Sequence, residues 1–228
     1  MVLYRHDARM PGEPQPIEWE FRAAPDDHDG DLWAAGADLA PGTLLAAYRL
    51  ALFPMPVRGT IGWFSPAQRA VFPLEAFAVP SRSLRRARRR YEIRVDGAFE
   101  AVVAGCARPG EPESWIDGPI TDAYVRLHDL GWAHSVEAWD DDGLAGGLYG
   151  VSIGGLFAAE SMFHARTDAS KAALVGLVEL LTAAGNPDVR VLDAQWLTPH
   201  LETLGAVEIT RAEYRVRLER ALELDAAL

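Results

Sequence analysis

The chain has 228 residues, 49% of them hydrophobic and 24% charged, and a formal net charge of −11. This composition is typical of a soluble globular protein with one large domain or two modest ones. No apolar run approaches the roughly 20 residues of a transmembrane helix, and the N-terminal segment has no apolar core of a signal peptide. The single cysteine, Cys106, excludes an internal disulfide and a cysteine metal cage. We therefore expect a cytoplasmic protein with no membrane partner.

The first part of the chain is rich in proline and predicts a small N-terminal lobe. Pro41 stands in the first turn of an amphipathic pattern, and we interpret the later Phe-Pro-Met-Pro run as the end of that helix. The predicted elements are an extended, partly strand-like lead-in over 1–30, a helix over 41–50, and short strands or turns over 61–66 and 70–73. We place the division of the chain after residue 72, so that the lobe spans 1–72 and a second domain spans 73–228.

The second part alternates helices with strands more clearly. Helices are predicted over 81–90, 98–106, 121–130, 171–184 and 198–204, with a last one opened by a capping box of Thr210 and Glu213. Strands are predicted over 91–95, 134–139, 144–153, 156–163, 189–195 and 207–209. The order indicates a mostly antiparallel sheet flanked by helices. We therefore predict an α+β fold whose larger domain is N-acetyltransferase-like (GNAT).

Three polar side chains interrupt otherwise apolar strands of this second part. They are Glu160, Asp193 and Gln195. A charged or amide group is costly to bury without partners, so it is retained either in a structural hydrogen-bond network or for chemistry. One residue separates Asp193 from Gln195, so a regular strand places both on the same side, where the carboxylate could orient the amide. No nucleophile accompanies them, which favours transfer between two bound substrates by positioning and polarisation.

Other candidate sites have weaker support. The run from Gly150 to Gly154 matches the G-x-S-x-G pattern around Ser152, but the next residues predict another strand rather than the helix that a nucleophile elbow requires. The six histidines have no metal-ligand spacing. We predict no metal site, and we interpret Cys106 as a small buried residue.

Residues 82–94 hold seven arginines against one glutamate. This segment is either a solvated helix face or a phosphate-binding patch on an acidic protein, and the pattern alone leaves both interpretations open. Trp63 and Trp115 lie in turn-rich segments, where an aromatic ring is either a core residue or a platform on which a nucleobase stacks.

A set of short motifs, each weak alone, follows in a specific order and spacing. They are Ala35–Leu39, Leu44–Arg49, Phe53-Pro54, Trp63–Pro66, Ser81–Leu84, Ser114–Ile116, Leu127–Gly131, Ala133–Glu137, Gly146–Val151, Glu160–Phe163, Asp168–Lys171 and Leu204–Ala206. Through them the chain resembles leucyl/phenylalanyl-tRNA–protein transferases over roughly residues 31 to 215. The resemblance implies a cytoplasmic enzyme of the N-end rule pathway that needs neither metal nor coenzyme A.

The activity implied by this resemblance is aminoacyl transfer. Leucine, phenylalanine or, less well, methionine moves from aminoacyl-tRNA to a protein with N-terminal arginine or lysine, forming a peptide bond and a degradation signal. We expect the enzyme to act as a monomer.

The resemblance also assigns roles to individual residues. Gln195 would draw the proton from the acceptor's α-amine, Asp193 would polarise Gln195, and Glu160 would help to hold the reacting amines. Trp115 would stack near the terminal adenosine. The apolar pocket for the donor side chain would be lined by Leu148, Phe157, Leu177 and Leu192, and the tRNA phosphates would be contacted by Arg82, Arg85, Arg86, Arg88 and Arg89.

Three positions depart from the family pattern. Met55 stands where a tryptophan usually follows Phe-Pro, and it would form one wall of the adenosine or donor site. Ala37 and Ala194 replace a glycine and a cysteine. Two other hypotheses stay open: a coenzyme A-dependent acyltransferase of the same fold, and a tRNA-binding adaptor without activity.

Overall fold

The computed structural model describes residues 11–77, 82–108 and 115–228, without the side chains of Arg82 and Ser83. The helices are α1 (Pro41–Arg49), α2 (Arg82–Arg88), α3 (Phe99–Ala107), α4 (Gly118–Asp129), α5 (Ala169–Ala183), α6 (Pro199–Thr203) and α7 (Arg211–Leu222). The strands are β1 (Leu32–Ala35), β2 (Phe53–Val57), β3 (Thr60–Phe64), β4 (Gln68–Phe72), β5 (Glu92–Val95), β6 (Ala133–Asp140), β7 (Gly143–Ile153), β8 (Leu156–His164), β9 (Val191–Gln195) and β10 (Val207–Thr210). No described helix is both long enough and apolar enough to cross a membrane.

The N-terminal part forms a three-stranded antiparallel sheet in the order β1-β3-β2. Strands β1 and β2 were not predicted from the sequence. For β2 the reason is that prolines suggest the end of an element rather than a strand. Pro54 and Pro56 lie in β2, which is an edge strand. Proline is tolerated at a sheet edge because its missing N–H can face away from the neighbouring strand.

The larger sheet has seven strands in the order β10-β4-β9-β8-β7-β6-β5. Every neighbouring pair is antiparallel except β8 with β9, so the prediction of an α+β fold with a mostly antiparallel sheet is confirmed. Strand β4 pairs with β9 and β10. A division after residue 72 would therefore separate β4 from the sheet to which it belongs.

Two hydrophobic cores cover the two faces of this sheet. The first core contains Tyr48 of α1, Phe99 of α3, Tyr124 of α4 and Tyr214 of α7. The second core is formed mainly by the apolar side of α5, with Leu84 of α2. Alternation along the strands assigns neighbouring residues to opposite cores, as in β7, where consecutive side chains enter different cores.

The last helix begins as its sequence indicates. The side-chain oxygen of Thr210 accepts a hydrogen bond from the backbone N–H of Glu213 at 3.2 Å, which confirms the predicted cap of α7.

Candidate active site

The only parallel pair of described strands in the larger sheet separates after three residues. Its last partners are Ala158 of β8 and Asp193 of β9. Beyond them β8 continues to His164, whereas β9 ends at Gln195. The predicted residues Glu160, Asp193 and Gln195 therefore lie where the two strands part.

Glu160 occupies a β-bulge. In the pairing of β7 with β8, Tyr149 is opposite Ser161 and Gly150 is opposite Ala159, so Glu160 is the extra residue. A bulge interrupts the alternation of a strand and re-aims a side chain. Glu160 accordingly contacts the tyrosines of the first core, while Ser161 next to it hydrogen-bonds Cys106 of the same core.

Asp193 is fully buried and its carboxylate is saturated with donors. Arg69 of β4 donates from Nε to Oδ1 at 2.8 Å and from Nη2 to Oδ2 at 2.6 Å. Tyr214 donates to Oδ2 at 3.1 Å, and the backbone N–H of Gln195 donates to Oδ1 at 2.9 Å. Bidentate pairs of this kind are among the stronger charge-assisted interactions, and here the pair fixes the main chain at the end of β9.

Gln195 has an unusual backbone and an unpaired amide. Its φ is +58°, in the left-handed region that non-glycine residues rarely occupy. The side-chain Nε2 is buried without a hydrogen-bond partner among the described residues. The sequence suggested that Asp193 orients this amide, but Asp193 binds the main chain of Gln195 instead. The bulge at Ala194, opposite the step from Ala70 to Val71, accounts for the difference because it breaks the regular alternation.

Glu160 is held by two tyrosine hydroxyls. The Oη of Tyr48 lies 2.7 Å from Oε1, and the Oη of Tyr124 lies 2.9 Å from Oε2. The two hydroxyls are themselves 2.6 Å apart. Burial raises the pKa of Glu160 to about 7, although both hydroxyls act in the opposite direction.

The predicted donor-pocket residues are not brought together with these polar groups. Leu148, Phe157, Leu177 and Leu192 are 0–1% exposed and belong to the second core, on the face of the sheet opposite Glu160 and Asp193. Met55 and Trp115 are half-buried and pack against the first core. Trp63 is a core residue rather than a stacking platform: it is 1% exposed and its Nε1 donates to the carbonyl of Gly36.

The arginines of residues 82–94 differ in their exposure to solvent. Arg85, Arg86 and Arg89 are exposed. Arg88 is half-buried and donates to Glu179 of α5 at 2.8 Å, so this residue fixes α2 against α5. The side chain of Arg82 lies outside the described part.

Two family models match the chain. The one described as "Leucyl/phenylalanyl-tRNA protein transferase" covers residues 71–219, and the one described as "Leucyl/phenylalanyl-tRNA protein transferase N-terminal domain" covers 37–67. The chain belongs to the leucyl/phenylalanyl-tRNA–protein transferase family. The resemblance seen in the short motifs is confirmed, and the chain is an enzyme that transfers an aminoacyl group.

Similar proteins carry the same name. The leucyl/phenylalanyl-tRNA–protein transferase of Akkermansia muciniphila is 50% identical over 191 residues, covering 81% of this chain and 97% of that protein. That of Anaeromyxobacter sp. (strain K) is 49% identical over 225 residues, covering 94% of this chain and 91% of that protein. A solved structure titled "The structure of L-PGS from Bacillus licheniformis" matches 68% of this chain and 64% of that chain, with 12% identity and a TM-score of 0.42, too low to carry an argument.

Sequence reasoning missed four residues around this site. They are Arg69, Tyr214, Tyr48 and Tyr124. Arg69 stands in the apolar run of β4 and could have been found by the rule that singled out Asp193, since both are charges in buried strands. The tyrosines gave no such signal, because a tyrosine in an apolar helix face is an ordinary core residue.

The serine that a motif search selects has a structural role. Ser152 lies inside β7 and is buried, with its backbone N–H donating to the carbonyl of Trp132. It is not on the strained strand-to-helix turn of a nucleophile elbow.

Proposed function

We propose that this enzyme transfers leucine, phenylalanine or, less well, methionine from aminoacyl-tRNA to the N-terminal arginine or lysine of an acceptor protein, which marks that protein for degradation in the N-end rule pathway. Family membership supports the reaction class. The observation that carries the assignment of the site is the buried Nε2 of Gln195, which has no hydrogen-bond partner among the described residues and lies where β8 and β9 separate. An unsatisfied buried polar group in a natural protein calls for a ligand or another explanation.

The proposed reaction is aminolysis of an ester. The acceptor's neutral α-amine attacks the carbonyl carbon, a C–N bond forms, the bond to the ribose oxygen breaks, and one proton passes from nitrogen to that oxygen. No enzyme nucleophile is required. Cys106, the single thiol, fits this mechanism because burial raises its pKa to about 12 and keeps it protonated.

In this mechanism Gln195 acts through both ends of its amide. The resemblance implies that its oxygen draws the proton of the acceptor amine. Its unpaired Nε2 group is also available to donate to the ester carbonyl oxygen, where negative charge develops during attack. Asp193 serves as a positioning residue, since it holds the backbone of Gln195 while Arg69 balances its charge.

We propose that the side chain of the donor amino acid binds in an apolar pocket, as the family resemblance implies. Met55 and Trp115 are half-buried at the border of the first core and are accessible walls for the adenosine or the donor. Leu148, Phe157, Leu177 and Leu192 are closed off, so a donor that contacts them has to displace tightly packed side chains. We propose them as the inner limit of the pocket.

The architecture proposed for the larger domain is N-acetyltransferase-like, with a bulged strand beside a parallel strand that diverges from it. A division between residues 67 and 68 keeps β4 whole in the larger domain and lies in the gap between the two family models.

Arg85, Arg86 and Arg89 are the arginines proposed to contact tRNA phosphates, because all three are exposed, whereas Arg88 is engaged with Glu179. We expect R86Q/R89Q to weaken tRNA binding and to lower the slope of log affinity against log salt by about 1 for each phosphate that is no longer neutralised. R217Q on α7 is the control for loss of an arginine outside this segment, since Arg217 pairs with Glu213 of its own helix. Equal salt slopes in all three proteins would contradict the assignment.

Transfer is tested by incubating the full chain with leucyl-, phenylalanyl- or methionyl-tRNA and a peptide that begins with arginine. A peptide extended by one residue is expected, and no product with any of the three tRNAs would overturn the function. For the site, Q195A should lower turnover by about 100- to 1000-fold while leaving tRNA affinity nearly unchanged.

Two companion variants separate the amide of Gln195 from its backbone. Q195G relieves the left-handed strain and Q195N is compatible with it, because glycine and asparagine adopt positive φ more readily. We expect Q195G to be as inactive as Q195A although it folds at least as stably. Full activity in Q195G would show that the position matters only for its backbone.

A further inference from the structure

Glu160, Tyr48 and Tyr124 form a closed ring of oxygen atoms. Three contacts join four oxygens: 2.7 Å from Tyr48 to Oε1, 2.6 Å between the two hydroxyls, and 2.9 Å from Tyr124 to Oε2. Both tyrosines are fully buried, with 0–1% exposure. The ring ties β8 to α1 and α4, so it forms only in the folded chain.

The number of hydrogens available to the ring indicates the protonation state of Glu160. Each contact between two oxygens at hydrogen-bond distance needs one hydrogen, and each tyrosine supplies only one. With an ionised Glu160, two hydrogens would serve three contacts, and two lone pairs would face each other in one of them. A protonated Glu160 supplies the third hydrogen and satisfies every contact.

The charged and titratable surroundings agree with a neutral carboxyl. Tyr48, Tyr124 and Tyr149 face Glu160 from α1, α4 and β7, and none of them carries a positive charge. Asp193 of β9 opposes ionisation of Glu160 by like charge, and Arg69 of β4 favours it. The bidentate bond of Arg69 goes to Asp193 rather than to Glu160.

We propose that Glu160, held by Tyr48 and Tyr124, carries a proton in the resting enzyme and donates it to the ribose oxygen that leaves during transfer. This inference rests on the proposed function. The attacking amine loses one proton as the C–N bond forms, and that proton refills the ring, so protons balance over one turnover. Tyr48 and Tyr124 are positioning residues that act through Glu160. A neutral Glu160 also binds the acceptor amine in its uncharged, nucleophilic form.

The chain offers matched variants for each part of this proposal. E160Q keeps all three contacts, because the amide supplies an N–H in place of the O–H, but it cannot transfer a proton. Y48F and Y124F each remove one hydroxyl from the ring. Y149F is the control: Tyr149 is equally buried, its ring lies 5.3 Å from that of Tyr124, and its hydroxyl has no hydrogen-bond partner among the described residues.

The first measurement locates the proton without using activity. Difference infrared spectroscopy of the full chain, titrated from about pH 5 to about pH 9, should show a protonated carboxyl band that is lost near neutral pH and is absent from E160Q. If the wild type shows no protonated carboxyl band that is missing from E160Q, the proposal is overturned.

The second measurement follows single-turnover transfer over the same pH range. Wild-type transfer should decline as pH rises through the ring's deprotonation, and E160Q should be slower by about 100-fold or more, the usual contribution of general acid–base catalysis. In Y48F and Y124F the pH of the decline should differ from that of the wild type, because each variant removes one hydroxyl that contacts the Glu160 carboxyl and with it the need for a third hydrogen. Y149F should keep the wild-type profile.

The outcomes separate the proposal from the function on which it rests. Unchanged pH profiles in both Y48F and Y124F, or near wild-type transfer by E160Q, would overturn the role of the ring even if the infrared band is present. Failure of every charged tRNA to give product would overturn the function and the role of the ring in transfer, while the infrared band would still show where the proton is.

Discussion

Asp193 and Glu160 are acidic residues on neighbouring strands, at the point where β8 and β9 part, yet their carboxyl groups have different partners. Asp193 has a buried cation and three kinds of donor around it, with Arg69 in bidentate contact. Glu160 has two hydroxyls, and its burial raises its pKa to about 7. One carboxylate is balanced by an arginine and stabilises the backbone, whereas the other is balanced by a proton and is able to exchange it.

The largest effect is expected where a charge loses its partner. R69M should lower the free energy of unfolding by about 3 to 5 kcal/mol, because it leaves Asp193 buried and uncompensated. Urea unfolding monitored by circular dichroism measures this loss. R69M/D193N is the control and should recover a large part of it. A loss below about 1 kcal/mol in R69M would mean that Asp193 does not depend on Arg69 for its charge balance.

The next effect concerns the pH dependence of stability. Burial raises the pKa of Glu160 from its ordinary 4.5 to about 7, so the folded chain binds this proton more tightly than the unfolded chain does. The resulting stabilisation is complete below about pH 4.5 and is lost as pH rises through about 7, for a total of about 3 kcal/mol.

Comparison with E160Q isolates this contribution from all other titrating groups. The difference in unfolding free energy between the wild type and E160Q should change in favour of E160Q as pH rises from about 5 to about 8. If this difference is constant from about pH 5 to about pH 8, Glu160 has its ordinary pKa. Glu160 would then be ionised like Asp193, and the contrast between the two carboxyl groups would be lost.

A smaller effect is expected for the tyrosine that serves Asp193. Tyr214 donates to Oδ2 of Asp193 at 3.1 Å, and hydrogen bonds to charged groups contribute about 1.5 to 3 kcal/mol. Y214F should therefore lower stability by about this amount, measured by thermal and urea unfolding. Wild-type stability in Y214F would indicate that Arg69 alone satisfies the carboxylate.

The smallest effect is expected for Tyr149, whose hydroxyl is buried without a partner among the described residues. Replacing an unsatisfied buried hydroxyl by hydrogen removes a desolvation cost, so Y149F should be neutral or stabilising by up to about 1 kcal/mol. Differential scanning calorimetry beside Y214F gives the comparison. A clear loss of stability in Y149F would reveal a partner for this hydroxyl.

The sequence predicted much of this arrangement because local patterns carry it. Helical and strand periodicity identified most elements of the larger domain, and polar residues in apolar strands identified Glu160, Asp193 and Gln195. Partners far apart in sequence were not predicted: Arg69 is 124 residues from Asp193, and Tyr48 is 112 residues from Glu160. Such pairs depend on strand order and on how helices cover the sheet, which periodicity does not specify.

The bulges in β8 and β9 were also beyond reach of the sequence pattern. A strict alternation places Asp193 and Gln195 side by side, whereas the extra residue at Ala194 and the positive φ of Gln195 change that relation. The apolar walls came from the family resemblance, and they are closed core residues on the opposite face. Strands β1 and β2 were missed because both are edge strands of the small sheet, and edge pairing cannot be seen locally.

Because Glu160 is an extra residue in β8, the packing of this strand does not depend on it. Ala159 and Met162 both pack against the second core, although residues that share a face of a regular strand are an even number of positions apart. Deletion of Glu160 would therefore restore regular alternation and keep Met162 and Phe163 on their present faces. Deletion of one residue from a regular stretch of β8 would exchange those faces instead. The proton-carrying side chain thus occupies a position that the regular alternation of this strand does not require.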